Sequence, residues 1–283
     1  MTEKTISASL EPEKLARRKF LGLASAALFA PVLAGCTLRS ETFRYKLTLS
    51  LNTPDGVKTG SVVNEVMESH VYGFPQGEGY PYHERGQALF VDMGKGRKPL
   101  IGLLNYNCNF QAKCPNLDRD QQAWVGSWDR LGPTGIFQIR PELKGPRIPD
   151  PDASHADVVY QMDRWKQLRV HLDLRLEELP DLITFDDIND PLSVRRVDPW
   201  HLEETFGPGV SWATMTVDIV DDSTPVVFDL ETKLPWIQKF RQIEKQNPSN
   251  LGLDGSPFGY GEASGKATLP NSIRMTNFER GRD

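Results

Sequence analysis

The chain has 283 residues, 39% of them hydrophobic and 25% charged, with 33 Lys+Arg against 38 Asp+Glu and a formal net charge of −5. That balance argues against nucleic acid and anionic lipid headgroups as partners. The apolar fraction, which includes six Trp, is enough to bury a sizeable core in one large domain or two small ones.

Residues 1–19 are polar and carry Lys4, Lys14, Arg17, Arg18 and Lys19; residues 20–34 read FLGLASAALFAPVLA without a charge, and the small residues Ala34 and Gly35 precede Cys36. Charged, then apolar, then small is the order of a secretory signal peptide. As a helix the apolar run would rise only about 22 Å against the roughly 30 Å hydrocarbon core, and Pro31 interrupts it, so a permanent transmembrane helix is the weaker reading. Leu33-Ala34-Gly35-Cys36 resembles the lipobox of bacterial lipoproteins. The resemblance implies cleavage before Cys36 and lipidation of its thiol. One myristoyl chain holds a protein only marginally, but the three acyl chains typical of that family hold firmly. Arg17-Arg18-Lys19-Phe20-Leu21 resembles the twin-arginine export motif, with Ala16 and Gly22 where that family has Ser or Thr and often Lys. The twin-arginine route implies folding before export, and the general route is the alternative. Thr37, standing where an Asp would favour inner-membrane retention, implies the outer membrane by the same family's sorting rule. Loss of residues 1–35 removes five basic and three acidic side chains and leaves 28 Lys+Arg against 35 Asp+Glu, a formal charge of −7.

After a short tether over 36–42, Phe43, Tyr45, Leu47, Leu49 and Leu51 alternate with polar residues, the period-2 signature of a half-buried strand. Thr53-Pro54-Asp55-Gly56 supplies a turn, and 58–68 reads as the returning strand. A Gly/Pro/Tyr-rich connection over 72–82 leads to a second hairpin, 87–93 and 99–104, joined by the glycine-containing loop 94–98. Its runs are nearly continuously apolar, which predicts deep burial in a sheet. A short helix is expected over 119–128, a strand over 136–139 and an exposed loop over 141–157. Apolar residues at 159–165 are followed by alternation over 168–176, read as a strand with a helix as the rival. Residues 183–185 begin an acidic loop, 212–220 is a strand and 226–230 a further one. Residues 234–246 have helical spacing, and 247–283 reads as a poorly structured tail. The sum is an α+β fold, mainly antiparallel β-sheet with a few short helices and long loops. Its organisation is a signal at 1–35, a lipidated tether at 36–42, a globular domain at 43–246 and a tail at 247–283.

With Cys36 lipidated, Cys108 and Cys114 remain. In an oxidising envelope their spacing suits a disulfide, and free thiols or half a metal site are the alternatives. C-x5-C is not a usual zinc spacing, so no metal and no cofactor are called for. Gly-x-Ser-x-Gly, His-Glu-x-x-His, phosphate-loop and dinucleotide fingerprints are missing from the sequence. His70, His83, His155, His171 and His201 are dispersed, and each alone reads as a surface or structural histidine. The polar run from 186 to 198 holds Asp186, Asp187, Asn189, Asp190, Arg195, Arg196 and Asp198. These are hard ligands suited to Ca²⁺ but without the spacing of a calcium loop, so the run reads as a turn in which Asp and Asn accept backbone N–H groups and arginines pair with carboxylates.

The 185–199 stretch, together with FRYKLTLSLNTPDG, RGQALFVDMGKGRKPL, FGPGV at 206–210 and LPWI at 234–237, resembles, in the same order over most of 43–240, a group of alphaproteobacterial proteins, many with lipoprotein signals. The resemblance implies a shared fold and carries no activity. The leading expectation is a non-enzymatic envelope lipoprotein, membrane-held through its lipid, facing the periplasm and binding a protein or glycan partner. The alternative is an envelope hydrolase using Asp, Glu and His groups assembled by the fold.

Overall fold

The computed structural model describes residues 36–73, 77–79, 81–94, 96–104, 156–246, 273 and 275–282. Its strands in chain order are β1 (Cys36–Thr53), β2 (Gly56–Gly73), β3 (Gly77–Gly79), β4 (Tyr82–Gln87), β5 (Leu89–Val91), β6 (Leu100–Gly102), β7 (His171–Asp173), β8 (Leu182–Phe185), β9 (Val194–Arg196), β10 (Ser211–Val220) and β11 (Glu279–Arg280). Among the described residues the α-helices are α1 (Ala156–Leu168), α2 (Leu202–Phe206) and α3 (Ile237–Gln246). The fold is α+β and dominated by antiparallel sheet. Among the described residues one sheet runs β11-β4-β2-β1-β10-β7, with β3 added at the end of β2, and a second runs β5-β6-β8-β9.

The alternation at 43–51 puts Phe43, Tyr45, Leu47, Leu49 and Leu51 in the core. β1 pairs with β2 from Cys36↔Tyr72 to Thr53↔Gly56, with Pro54 and Asp55 as the turn and Gly56 at φ 100, a backbone state that favours glycine. Residues 36–42, expected as a tether, are therefore paired strand. The apolar alternation that flags a strand stops at Phe43 because the inner face turns polar there: Glu68 and His70 on β2 are buried. At 3.2–3.4 Å per residue, an 18-residue strand spans roughly 55 Å. Within the 72–82 connection, Gly77–Gly79 form β3, and Tyr82 opens β4, which pairs with β2 from Glu65↔Arg85 to Glu68↔Tyr82.

Helix α1 lays Val159, Met162 and Trp165 on the inner face, where the Trp165 ring meets Phe43 edge-on at 6.3 Å between centroids. The strand expected over 168–176 shrinks to β7. The helix takes Leu168, Arg169 reverses the chain at φ 45, and a 3-10 turn at Leu176–Glu178 follows. The alternation was nonetheless correct in its faces, with Val170, Leu172 and Leu174 buried and His171 and Asp173 exposed. The second hairpin forms as β5 and β6, buried as its apolar runs predicted. It crosses β2 at Gly60, where a Cβ would lie 2.2 Å from the Phe90 carbonyl oxygen, so only glycine permits this approach. Residues 183–185, read as the start of a loop, belong to β8, which lies between β6 and β9. All four of its residues are buried, and a strand covered on both faces shows no alternation.

A second core lies between this sheet and the chain's end. Leu234, Ile237 and Phe240 enter it from α3 and its approach, and Trp236 sits 5.5 Å from Phe185 and 5.3 Å from Phe278. The strand expected at 226–230 does not form. Val227 is exposed, and the Asp229 and Leu230 amides donate to Gln87 Oε1 rather than to a neighbouring strand. The tail expected over 247–283 is corrected at its end: Ile273, Met275 and Phe278 are core residues, the Ala88 amide donates to the Phe278 carbonyl at 2.7 Å, and β11 pairs with β4. Three apolar side chains among polar neighbours make no periodic signal, yet together they cap the second core. Expectations for Arg17, Arg18, Cys108, Cys114 and His155, and for the elements between 105 and 155, fall outside the described residues.

Candidate functional site: a tryptophan-lined groove at the turn end of the sheet

At the turn end of the β1–β2 hairpin, Asn52 pairs with Ser211, the first residue of β10. The segment before it is built from short local bonds. Asp198 accepts the Trp200 amide at 2.9 Å through one carboxylate oxygen and bonds His201 Nδ1 at 2.9 Å through the other. Helix α2 is fastened by buried Leu202 and Phe206, so Glu203 and Glu204 are left exposed on its other side. Gly207 (φ 91) and Gly209 (φ 79) then fold the chain back. A Cβ on Gly209 would stand 3.0 Å from Pro54, so this loop rests directly on the hairpin turn.

Between α2 and β10 lies a groove of about 470 Å³ lined by Leu176, Pro199, Trp200, His201, Leu202, Glu203, Glu204, Val210, Ser211 and Trp212. Trp200 is 39% exposed, while Trp212 is partly buried against the first core. The groove therefore combines indole surface, two carboxylates and an imidazole oriented by Asp198, with no Lys or Arg among its described lining residues. Such a lining offers apolar contact to one side of a ligand and acceptors to its donors.

Among the described residues the histidines do not converge. His201 is in the groove. His171 sits exposed on β7, where its hydrogen bond to Asp218 holds its pKa above the usual imidazole value. His83 is exposed on β4, and His70 is buried near the opposite end of the sheet. Among the described residues no group of three His, Cys, Asp or Glu side chains could hold a metal ion. The 186–198 run behaves as the turn reading predicts. Asp187 accepts the Asn189 amide at 2.9 Å and Asp190 the Leu192 amide at 2.9 Å, while Asp186 pairs with Lys98 and Arg195. The Lys98 ammonium and then the Arg195 guanidinium hold the Asp186 carboxyl below its usual range.

Sequence reasoning missed a second set of polar residues, on the inner face of the large sheet. The Gln87 amide donates to Asn64 Oδ1, Asn64 Nδ2 to the Tyr45 hydroxyl, Tyr45 to Glu84 Oε1 at 2.8 Å, and Arg280 closes the chain on Glu84 Oε2 at 2.7 Å. Gly86 makes room for it, since a Cβ there would overlap Asn64. Glu68 lies beyond this chain, opposite Tyr82. It is 1% exposed, neither carboxyl oxygen has a hydrogen-bond partner among the described residues, and burial pushes its pKa up to about 8. The carboxyl is thus a neutral acid at pH 7. No signal for this lay in the sequence, where Glu68 looks like any solvated strand residue.

Compared with protein-family models, curated proteins and solved structures, the chain matches none of them.

Proposed function

We propose that the protein is a lipid-anchored module of a bacterial cell envelope, held by Cys36 on the periplasmic face, at the outer membrane by the Thr37 rule, and that its groove binds a glycan or an exposed protein segment. The observation that carries the binding part is the groove. Its volume of about 470 Å³ falls within the usual range of ligand sites, roughly 300–1,000 Å³. Indole faces suit the C–H face of a sugar or a cationic side chain, and Glu203 and Glu204 accept from hydroxyl or ammonium groups. The signal and lipobox resemblance supports the anchor. The sequence of export steps, with folding before transport, follows from the twin-arginine resemblance.

Two experiments test this. Cys36→Ser should release the protein from membranes and abolish lipid labelling; membrane association and labelling that survive the change refute the anchor. Pull-down of the lipidated protein from its own membranes should recover a partner that is lost from Trp200→Ala/Trp212→Ala; equal recovery by both refutes the groove.

One observation favours an enzyme as the second reading. The Asp198 carboxylate orients the His201 imidazole through Nδ1 and leaves Nε2 for proton transfer beside two further carboxylates. A recovered partner that is cleaved by the wild type and not by His201→Ala would establish that reading over simple binding.

A further inference from the structure

The lipid anchor and the groove lie at opposite ends of one pair of strands. Cys36 is a ladder residue, its backbone paired with Tyr72, so no length of free chain separates it from the sheet. Resting on the lipid anchor proposed above, we infer that the open end of the β1–β2 hairpin is itself a bilayer-contact surface, with Leu38 and Tyr72 at headgroup depth, and that the sheet stands off the membrane as a stalk carrying the tryptophan groove at its far end.

Acyl chains attached at Cys36 bring the bilayer to within a few bonds of the strand ends. Two large apolar side chains are exposed there, Leu38 at 54% and Tyr72 at 50%, although the same strands bury Phe43, Tyr45 and Val66 completely further along. The register shifts between Thr37 and Arg39, and such an irregularity re-aims the side chain it carries. A tyrosine ring with one apolar and one wet end suits the membrane–water interface. Arg39 is tied to Glu41 and Asp163, so anionic headgroups gain little from this end, and the contact is apolar rather than electrostatic. The bilayer is favoured over a protein as occupant because the lipid on Cys36 already holds it at contact distance. At the other end Asn52 stands next to Ser211 of the groove. The 16 residue steps from Cys36 to Asn52 rise roughly 53 Å if the strands run along the membrane normal, which would present the groove well clear of the headgroups.

The test uses the full lipidated protein in phosphatidylethanolamine/phosphatidylglycerol vesicles whose acyl chains are brominated. Leu38→Trp and Tyr72→Trp each add an indole to compare with the wild type in the same vesicles. The added emission should lose more than half its intensity relative to unbrominated vesicles. A ten-residue Gly/Ser insertion between Cys36 and Thr37 should restore it while the lipid stays attached. Mass spectrometry showing lipid on Cys36, with neither added indole quenched, would overturn the stalk inference and leave the anchor standing. A Cys36 without lipid would overturn both, so the two failures are read separately.

Discussion

Replacing Glu68 with glutamine should stabilise the fold around neutral pH and leave it nearly unchanged in acid. Glu68 is buried without a hydrogen-bond partner among the described residues, and its pKa stands at about 8 against 4.5 for a free glutamate. The folded state therefore keeps a proton that the unfolded chain releases. For an acid with a raised folded pKa, stability is greatest below 4.5, falls as pH rises from 4.5 towards 8 and is level above that. At pH 7 the unfolded chain gains about 2.5 units of ionisation free energy, or about 3 kcal/mol at 1.36 kcal/mol per unit. Glutamine has the same shape and no proton to release, so the variant escapes this penalty. For a domain of this size the gain corresponds to a Tm rise of about 6–12 °C at pH 7. Urea or thermal unfolding of Cys36→Ser protein with and without Glu68→Gln, run from pH 4 to 9, should show two curves that meet near pH 4 and separate steadily to pH 8. A separation independent of pH would refute the reasoning, because it would mean that Glu68 is charged or exposed in the folded state.

The second core gives a test of the chain's end: Phe278→Ala should cost about 3–5 kcal/mol in urea unfolding, and a loss under 1 kcal/mol would mean that 273–282 is not part of the fold. Gly60→Ala should cost about 3 kcal/mol because its Cβ would meet the Phe90 backbone and has no side chain to push aside; a neutral effect would refute the close crossing of the two sheets. Arg280→Met removes a partner of Glu84, whose side chain is 1% exposed, and should cost about 3–5 kcal/mol, most of it recovered by adding Glu84→Gln. Arg282→Met should cost less, since its pair with Glu231 is partly exposed, worth about 1 kcal/mol or below, and the buried Glu279 keeps Arg241 as a partner. An NMR titration should place the His171 pKa above 6.5, and Asp218→Asn should lower it; no change would break the pairing.

How much was legible in the sequence depended on whether a segment met water on one face. β1 and β10 do: alternation gave β1 with its correct inward residues, and 212–220 was read as a strand. β8 is buried on both faces, so Leu182, Ile183, Thr184 and Phe185 carried no period, and 183–185 was read as the start of a loop. The 36–42 extension failed for the opposite reason: its inner-face neighbours Glu68 and His70 are polar, and polarity on both faces imitates a tether. Residues 226–230 look strand-like, but backbone pairing there is pre-empted by the Gln87 side chain, 142 residues away in sequence from Asp229. The C-terminal segment packs against Trp236 and β4, contacts that local composition cannot report. The groove was half visible. His201 and Asp198 had been singled out separately, but the placement of Trp200 beside Trp212 depends on how Gly207 and Gly209 fold α2 back onto the hairpin turn.

The central claim, that the groove between α2 and β10 holds an envelope partner, is tested most directly by photocrosslinking in intact cells. A benzophenone side chain at Ser211, inside the groove, should give a discrete adduct that disappears when Trp200 and Trp212 are replaced by alanine, while the same group at His171 gives none. No adduct from position 211, or equal adducts from 211 and 171, would contradict it.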